Sequence, residues 1–151
     1  MNLGWLLSQV EHVYATEIAA ALAPLGLGSR GYCVLASALG TDLTQTQLAA
    51  LVGVDKTTMV VTVDELERLG LAERRRSSTD RRAHVIAVTE AGEHKVADGQ
   101  AIIERVQNEV LSSLPETERE AFLSGLTRLL AGRLSEPVAC SPPLRRREPR
   151  G

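Results

Sequence analysis

Apolar residues recur every three to four positions along the first part of the chain, which is the spacing of a helix with one buried face. The pattern predicts a long first helix over about residues 3–25, ending near Pro24 and Gly26. A second helix is predicted from Ser29 to about Leu39. The residues of the first apolar stripe are Leu7, Val10, Tyr14, Ile18, Ala21 and Leu25.

Start and stop signals between residues 44 and 70 predict two short helices joined by a tight turn. Thr44 and Gln47 have the spacing of a capping box, in which each side chain bonds the backbone amide of the other residue. Gly53 stands where the chain leaves the first helix with positive φ, and Asp55 is placed to cap the second helix. The apolar positions of the two helices are Leu48, Leu51 and Val52, then Met59, Val63 and Leu66.

Two runs of strand length follow, at residues 71–75 and 83–89, and the second run is rich in β-branched residues. The polar stretch 76–82 between them has the composition of a loop, so the pair predicts a β-hairpin. Thr89 then opens a long helix, and the pattern breaks and restarts at Pro115 as a last amphipathic helix. The apolar positions of these helices are Val96, Ile103, Val106, Val110 and Leu114, then Phe122, Leu123, Leu126, Leu129 and Leu130.

The terminal helices have no obvious partner within a chain this short. We therefore expect the helices at about residues 3–25 and 90–132 to pair with a second copy across a twofold axis. The alternative is that both ends fold back on their own core, as in a helix bundle. The predicted fold is thus mainly α with a small β-hairpin: a helix-turn-helix at residues 44–70, the hairpin at residues 71–89, and terminal dimerisation helices.

Positive charge is concentrated around the hairpin. Residues 68–84 hold six arginines and two acids, a local charge of six minus two, or +4, whereas the whole chain carries −2. A solvated hairpin without a partner is one explanation, since most charged stretches are wet surface. The position directly after a helix-turn-helix favours duplex DNA instead, with the hairpin along the phosphates and its tip in the minor groove. The arginines are Arg68, Arg74, Arg75, Arg76, Arg81 and Arg82.

Length and composition exclude several classes of protein. A chain of 151 residues with 44% hydrophobic content supports one globular domain, at residues 1–134. The apolar opening lacks a basic flank and continues amphipathically, so we expect no signal peptide, no membrane span and a cytoplasmic location. The chain has no phosphate loop, H-E-x-x-H or nucleophile elbow. His12, His84 and His94 lack metal-ligand spacing, so we predict no enzyme, no cofactor and no metal.

The composition changes after Leu134. From residue 135 to 151 prolines are interleaved with arginines and no apolar period remains, which predicts a disordered tail. The tail arginines either add nonspecific attraction to DNA or are inert. Of the two cysteines, Cys33 is expected to be a small core residue and Cys140 to be exposed in the tail.

Several of these segments carry a family resemblance. The chain resembles the MarR family (multiple antibiotic resistance regulators) of winged-helix transcriptional regulators, with order and spacing that agree to about residue 134. The most specific part is Asp-Arg-Arg followed by Thr-Glu-Ala-Gly. The resemblance implies a homodimeric regulator, in our reading a repressor, that binds pseudo-palindromic DNA and is often released by a small ligand or by oxidation. The matching segments are TQLA at 46–49, VDKTTMV at 54–60, DELERLGL at 64–71, DRR at 80–82 and VTEAG at 88–92.

The resemblance also implies which residues contact DNA. Lys56, Thr57 and Thr58 would lie at the major groove, and Arg82 would enter the minor groove at the tip of the hairpin, which is the wing. Asp80 would orient the wing arginines. Ordinary helix capping is the alternative role for the two threonines. The full predicted set is Thr46, Lys56, Thr57, Thr58, Val61, Thr62, Arg74, Arg75, Arg76, Arg81 and Arg82.

Two positions depart from the family pattern. Val61 stands in the second helix of the motif where many relatives have arginine, and position 65 is Glu65. An exposed valine touches a thymine methyl group but cannot bond a guanine edge. We therefore expect sequence specificity to rest on threonines, apolar contacts and DNA shape.

Members of the family often hold an aromatic acid or a similar molecule between the dimerisation helices and the winged core. By this resemblance His12, Tyr14, Arg30 and Tyr32 are the predicted lining, and a small aromatic or phenolic molecule is the predicted effector. The alternative is that the tyrosines and the histidine are core residues with a satisfied polar tip. For the whole protein, the alternative function is a winged-helix module for protein interaction that has lost DNA binding.

Overall fold

The computed structural model describes residues 2–78, 80 and 83–136. The predicted wing arginines Arg81 and Arg82, Cys140 and nearly all of the predicted tail lie outside these residues. The described part of the chain is mainly helical with a two-stranded hairpin, so the predicted fold class is confirmed. Its elements are α1 (Leu3–Leu22), a 3₁₀ turn (Ala23–Leu25), α2 (Gly28–Ala38), α3 (Gln45–Val52), α4 (Lys56–Arg68), β1 (Ala72–Arg76), β2 (His84–Val88), α5 (Glu90–Ser112) and α6 (Glu116–Ala131).

The chain divides into two compact units, residues 1–109 and the residues from 110 onward. The first unit has one hydrophobic core, built where α2, α3, α4 and the base of the hairpin meet. In the second unit, Arg119 donates to the carbonyl oxygens of Leu114 at 2.7 Å and Ser112 at 3.3 Å, which holds the start of α6 to the end of α5. The buried core residues of the first unit are Val34, Leu35, Ala38, Leu48, Ala49, Met59, Val63, Leu66, Leu71, Ala72 and Ile86.

The helix-turn-helix is held by the turn chemistry that the sequence predicts. The amide of Gln47 donates to the hydroxyl of Thr44 at 3.3 Å, and the amide of Thr44 donates to the side chain of Gln47 at 2.8 Å. This capping box begins α3. Gly53 ends α3 with a φ of 76°, a conformation in which a Cβ would be strained. Asp55 then caps α4.

The hairpin is antiparallel and is fastened to the helical core at its base. Its register pairs Ala72 with Val88 and Arg76 with His84. A third segment, which the sequence did not reveal, joins β2: the amide of Ile86 donates to the carbonyl oxygen of Leu43 at 3.1 Å. The loop before α3 therefore fixes one edge of the hairpin.

Two residues that were predicted to be buried are exposed. Leu51, expected in the apolar stripe of α3, is 63% exposed. Cys33, expected in the core, is exposed because the buried face of α2 is formed by Val34, Leu35 and Ala38. Within the described residues no helix has, by itself, both the length and the apolar content needed to cross a membrane. Residues 3–25 and α2 meet those two criteria only jointly, as a pair bent by 81°.

Gly92 lies where α5 starts against the base of the hairpin. A Cβ added there would meet the carbonyl oxygen of Leu71 at 2.1 Å and the side chain of Val88 at 2.7 Å. Backbone cannot yield cheaply to this overlap, so Gly92→Ala is expected to lower the free energy of unfolding by about 1–3 kcal/mol. Urea denaturation measures this change. Ala91→Ser, at the exposed neighbouring position, is expected to stay within about 0.5 kcal/mol, and equal losses in both variants would contradict the packing assignment.

Candidate nucleic-acid interface

One face of α4 is open to solvent. Met59, Val63 and Leu66 turn the opposite face into the core. On the open face Val61 is 64% exposed and Val60 is 41% exposed, next to the exposed side chains of the first turn. Exposed valines at the centre of a helix suit contact with apolar edges such as thymine methyl groups. The exposed residues of α4 are Lys56, Thr57, Val60, Val61, Asp64, Glu65 and Arg68.

Two of the four predicted threonines serve the fold of α4. The hydroxyl of Thr58 donates to Asp55 Oδ2 at 2.6 Å, and its amide donates to Asp55 Oδ1 at 2.9 Å. Thr62 is buried, and its hydroxyl donates to the carbonyl oxygen of Thr58 at 2.8 Å. Thr62 is therefore removed from the predicted DNA contacts, and the hydroxyl of Thr58 has the capping role that was the alternative. Thr46 and Thr57 are exposed.

The hydrogen bonds at the start of α4 set the charge of its cap. The hydroxyl of Thr58 and then its amide hold the pKa of Asp55 below the usual range. Because the folded-state pKa is lowered, the cap stabilises the protein above the unfolded pKa of about 3.9. This stabilisation is lost as the pH falls through the lower folded-state pKa.

Asp55→Ala is therefore expected to lower the melting temperature most near neutral pH, and the difference from the parent is expected to shrink as the pH falls below about 4. Thermal melts followed by circular dichroism over a pH series check this expectation. Asp55→Asn is the control, because its amide oxygen caps without titrating. A difference between parent and Asp55→Ala that stays constant down to the acid limit would refute the ionised cap.

The three arginines of β1 differ in exposure. Arg75 and Arg76 are exposed, and Arg75 is paired with Glu73 on its own strand. Arg74 is only 30% exposed, because it shares the inward face of the strand with buried Ala72. Its guanidinium bonds residues of α3 and α4 and is not directed to solvent. The bonding partners are Gln45 Oε1 at 3.3 and 3.2 Å, Asp64 Oδ1 at 2.6 Å and Glu67 Oε2.

Acidic residues accompany the cations in the second half of α4. Arg68 donates to Glu65 through Nε at 2.8 Å and through Nη2 at 2.6 Å. This hydrogen bonding lowers the pKa of Glu65 and raises that of Arg68. Arg68 is thus neutralised locally, although it contributes to the positive charge counted from the sequence. The first turn of α4 carries the exposed Lys56, which is better suited to a phosphate.

The described part of the wing tip is tied by short-range bonds. The amide of Ser77 donates to the carbonyl oxygen of Ala83 at 2.9 Å, and the amide of Ala83 donates to the carbonyl oxygen of Asp80 at 3.0 Å. Ser78 donates to the carboxylate of Asp42 at 3.2 Å, which connects the tip to the loop before α3. The orienting role of Asp80 remains a prediction, since its expected arginine partners lie outside the described residues.

A cavity of about 410 Å³ lies between the start of α2 and α4. Of the four residues predicted to surround a ligand, Arg30 lines this cavity. Tyr32 is buried instead, with its hydroxyl 3.4 Å from the carbonyl oxygen of Val96, and burial raises its pKa. His12 is exposed on α1, and Tyr14 is half-buried there. The cavity is lined by Leu27, Gly28, Ser29, Arg30, Gly31, Val61, Thr62, Glu65 and Leu66.

These elements define a winged helix-turn-helix protein: α3, the turn and α4 form the motif, and the hairpin forms the wing. Residues 34–83 match the sequence model of the MarR family. CouR from Rhodococcus jostii RHA1, whose crystal structure is bound to p-coumaroyl-CoA, is 31% identical, with 92% of this chain and 95% of CouR covered and a TM-score of 0.73. The chain belongs to the MarR family of transcriptional regulators.

Two other crystal structures share the fold. A MarR-family transcriptional regulator from Rhodococcus sp. RHA1 is 32% identical over 87% of this chain and 93% of its own, with a TM-score of 0.73. MarR from E. coli in its apo form is 21% identical over 86% of this chain and 98% of its own, and its TM-score of 0.78 supports the fold. The family consists of regulators and not of enzymes.

Proposed function

We propose that the protein is a homodimeric repressor that binds pseudo-palindromic operator DNA in the cytoplasm. The exposed stripe of α4 carries this proposal. Lys56 and Thr57 stand at its positive end, and Val60 and Val61 form an uncovered apolar centre. This stripe fits the floor of a major groove, where phosphates flank the thymine methyl groups. The exposed Arg75 and Arg76 extend positive charge along the wing toward the backbone.

The homodimer is supported by apolar surface at both ends of the chain. Val10 and Val13 of α1 are 57% and 59% exposed, and Trp5 is 61% exposed. None of the described residues of α6 is buried, and Leu130 is 65% exposed. Apolar surface of this extent is typical of interfaces between subunits. A second copy would cover this surface and place the two copies of α4, the recognition helices, on successive half-sites.

We also propose that a small aromatic or phenolic molecule releases the protein from DNA. The cavity beside α4 has apolar walls, with Leu27 and Leu66 among them, and Arg30 offers a cation for a carboxylate. Val61 and Glu65 line the cavity and also belong to the exposed face of α4. A bound molecule would therefore touch the helix that reads DNA. Titration of simple phenolic acids into a protein–DNA complex tests this, and undiminished DNA affinity at saturating ligand would contradict it.

The experiment for the main proposal is a selection. Genomic fragments retained by the purified protein are sequenced, and we expect enrichment of a pseudo-palindrome with two half-sites about one helical turn apart. Expression of the flanking genes in a deletion strain then separates repression from activation. A winged-helix module that serves only protein interaction would enrich no sequence at all.

The wing arginine at position 82 is the first contact to remove. Arg82→Ala is expected to weaken operator binding by about 1–3 kcal/mol if the side chain reads the minor groove. Fluorescence anisotropy with a labelled operator measures this loss. Arg128→Ala, at an exposed position of α6, removes the same charge from a helix with no proposed DNA contact. If the two variants bind alike, the wing assignment fails.

A further inference from the structure

Arg74 joins three elements of the DNA-binding motif at one point. Its backbone amide donates to Glu67 Oε1 at 2.8 Å, and its guanidinium also bonds Glu67. The same guanidinium reaches Asp64 of α4 at 2.6 Å and Gln45, the first residue of α3, at 3.2 Å. One side chain of the wing is thus bonded to both helices of the helix-turn-helix.

The geometry leaves this guanidinium little capacity for a phosphate. A guanidinium has five N–H donors in a planar fork and no hydrogen-bond acceptor. Several of the Arg74 donors are already directed at the three acceptors on α3 and α4. Two of those acceptors are carboxylates, which form the stronger, charge-assisted bonds. The side chain is 30% exposed, against 63% for Arg75 one residue further on. Glu67 is 32% exposed, so solvent weakens its bond to Arg74 less than it weakens a fully exposed pair, whereas Asp64 is 59% exposed.

We propose that Arg74 is a positioning residue that sets the wing at a fixed distance and angle from α4, and that it makes no phosphate contact. This inference rests on the proposed DNA-binding function. A recognition helix in the major groove and a wing in the adjacent minor groove act together only if their spacing matches the duplex. A site that is about 1 Å too loose loses much of its function. The edge of the hairpin at β2 is fastened through Leu43, and Arg74 fastens the edge at β1.

The decisive variant is Asp64→Ala/Glu67→Ala. It removes two negative charges from the DNA-facing helix and retains good helix formers at both positions. Charge alone predicts tighter binding, because less repulsion remains between α4 and the phosphates. The positioning role predicts the opposite, a loss of about tenfold in operator affinity, because the wing is no longer anchored. Tighter binding by this variant would overturn the inference.

Glu65→Ala is the matched control for this experiment. It removes an exposed acid from the same helix, but the partner of Glu65 is Arg68 on α4 itself, so no tie to the wing is lost. We expect Glu65→Ala to bind operator more tightly than the parent, because one negative charge is removed from the exposed face of α4 and no tie to the wing is lost. An equal loss in the control and in the double variant would count against a specific role for Arg74.

The arginine itself is tested with its charge retained. Arg74→Lys is expected to lose about tenfold in operator affinity, because an ammonium cannot bond three separate acceptors in the plane of a fork. Its affinity for nonspecific DNA and the slope of log affinity against log salt are expected to stay at the parent values, since no phosphate contact is lost. Arg128→Lys, at an exposed position of α6 with no proposed DNA contact, should change operator affinity less than about twofold. A reduced salt slope in Arg74→Gln would identify a phosphate contact and contradict the proposal.

Hydrogen exchange of the free protein tests the anchor without DNA. Amides of β1 are expected to exchange faster in Arg74→Lys and in Asp64→Ala/Glu67→Ala than in the parent, and unchanged in Arg75→Lys. Equal exchange in all four proteins would overturn the anchoring. If the parent binds no DNA sequence preferentially, the proposed function and the DNA role of Arg74 both fail, and the exchange rates still decide whether Arg74 holds the wing.

Discussion

Replacing Val61 by glutamate is expected to abolish operator binding while the fold is retained. Val61 is 64% exposed at the centre of the open face of α4, so the substitution disturbs no core contact. In a major groove the new carboxylate would lie between two rows of phosphates, and juxtaposed like charges cost several kcal/mol. We expect a loss of about 100-fold or more, equivalent to about 2.7 kcal/mol. Fluorescence anisotropy at fixed salt measures it.

The control for Val61→Glu is Gln107→Glu, which adds the same charge at an exposed position of α5. Helix α5 carries no proposed DNA contact, so this variant should bind operator within about twofold of the parent, the range expected for a remote charge. Circular dichroism of both variants confirms that helix content is unchanged. Parent-like operator binding by Val61→Glu would remove α4 from the DNA interface.

Placing two acids on the apolar face of α1 is expected to separate the proposed dimer. Val10 and Val13 share one face of this helix with Leu3 and Leu7, and all four side chains are exposed. In Val10→Glu/Val13→Glu, dimerisation would bury two uncompensated charges per subunit, which costs more than the interface returns. Light scattering should give twice the chain mass of 16.3 kDa for the parent and a single chain mass for the variant.

Operator affinity is also expected to fall when the dimer dissociates into monomers. Two linked half-sites bind more tightly than one by a factor of about 10² to 10⁴. We expect the monomeric variant to lose at least the lower figure. Ala15→Glu is the control, because this exposed position lies on the opposite face of α1 and more than two turns from Trp5. A parent that is monomeric at micromolar concentration would contradict the dimer directly.

Local signals in the sequence predicted the helix-turn-helix well. The capping box of Thr44 and Gln47, the positive φ of Gly53 and the cap at Asp55 involve neighbouring residues, and each has one dominant physical solution. The hairpin boundaries shifted by about one residue, since strand ends depend on partners that are distant along the chain. The segment at Leu43 that pairs with β2 gave no such local signal, because it is too short to show alternation.

The site was predicted less completely, because side-chain direction depends on tertiary partners. Thr57 and Thr62 are both threonines of α4. Thr62 lies three residues after buried Met59, on the same face of the helix, and its side chain turns inward. The inward direction of Arg74 could have been inferred from its two-residue spacing to Ala72 in a strand. The partners of Arg74, Asp64 and Glu67, could not be inferred from the sequence, since they lie on another element. The four predicted ligand residues remain a prediction: Arg30 lines the cavity beside α4, and the other three lie elsewhere on α1 and α2.

The salt dependence of operator binding tests the central claim most directly. With a fragment recovered from the genomic selection, log affinity is measured against log salt, and a scrambled fragment of equal length serves as the control. We predict a steep negative slope, close to −0.9 for each phosphate neutralised, and tighter binding of the selected fragment at physiological salt. A flat slope, or equal affinity for the selected and scrambled fragments, would contradict the assignment of this protein as a DNA-binding regulator.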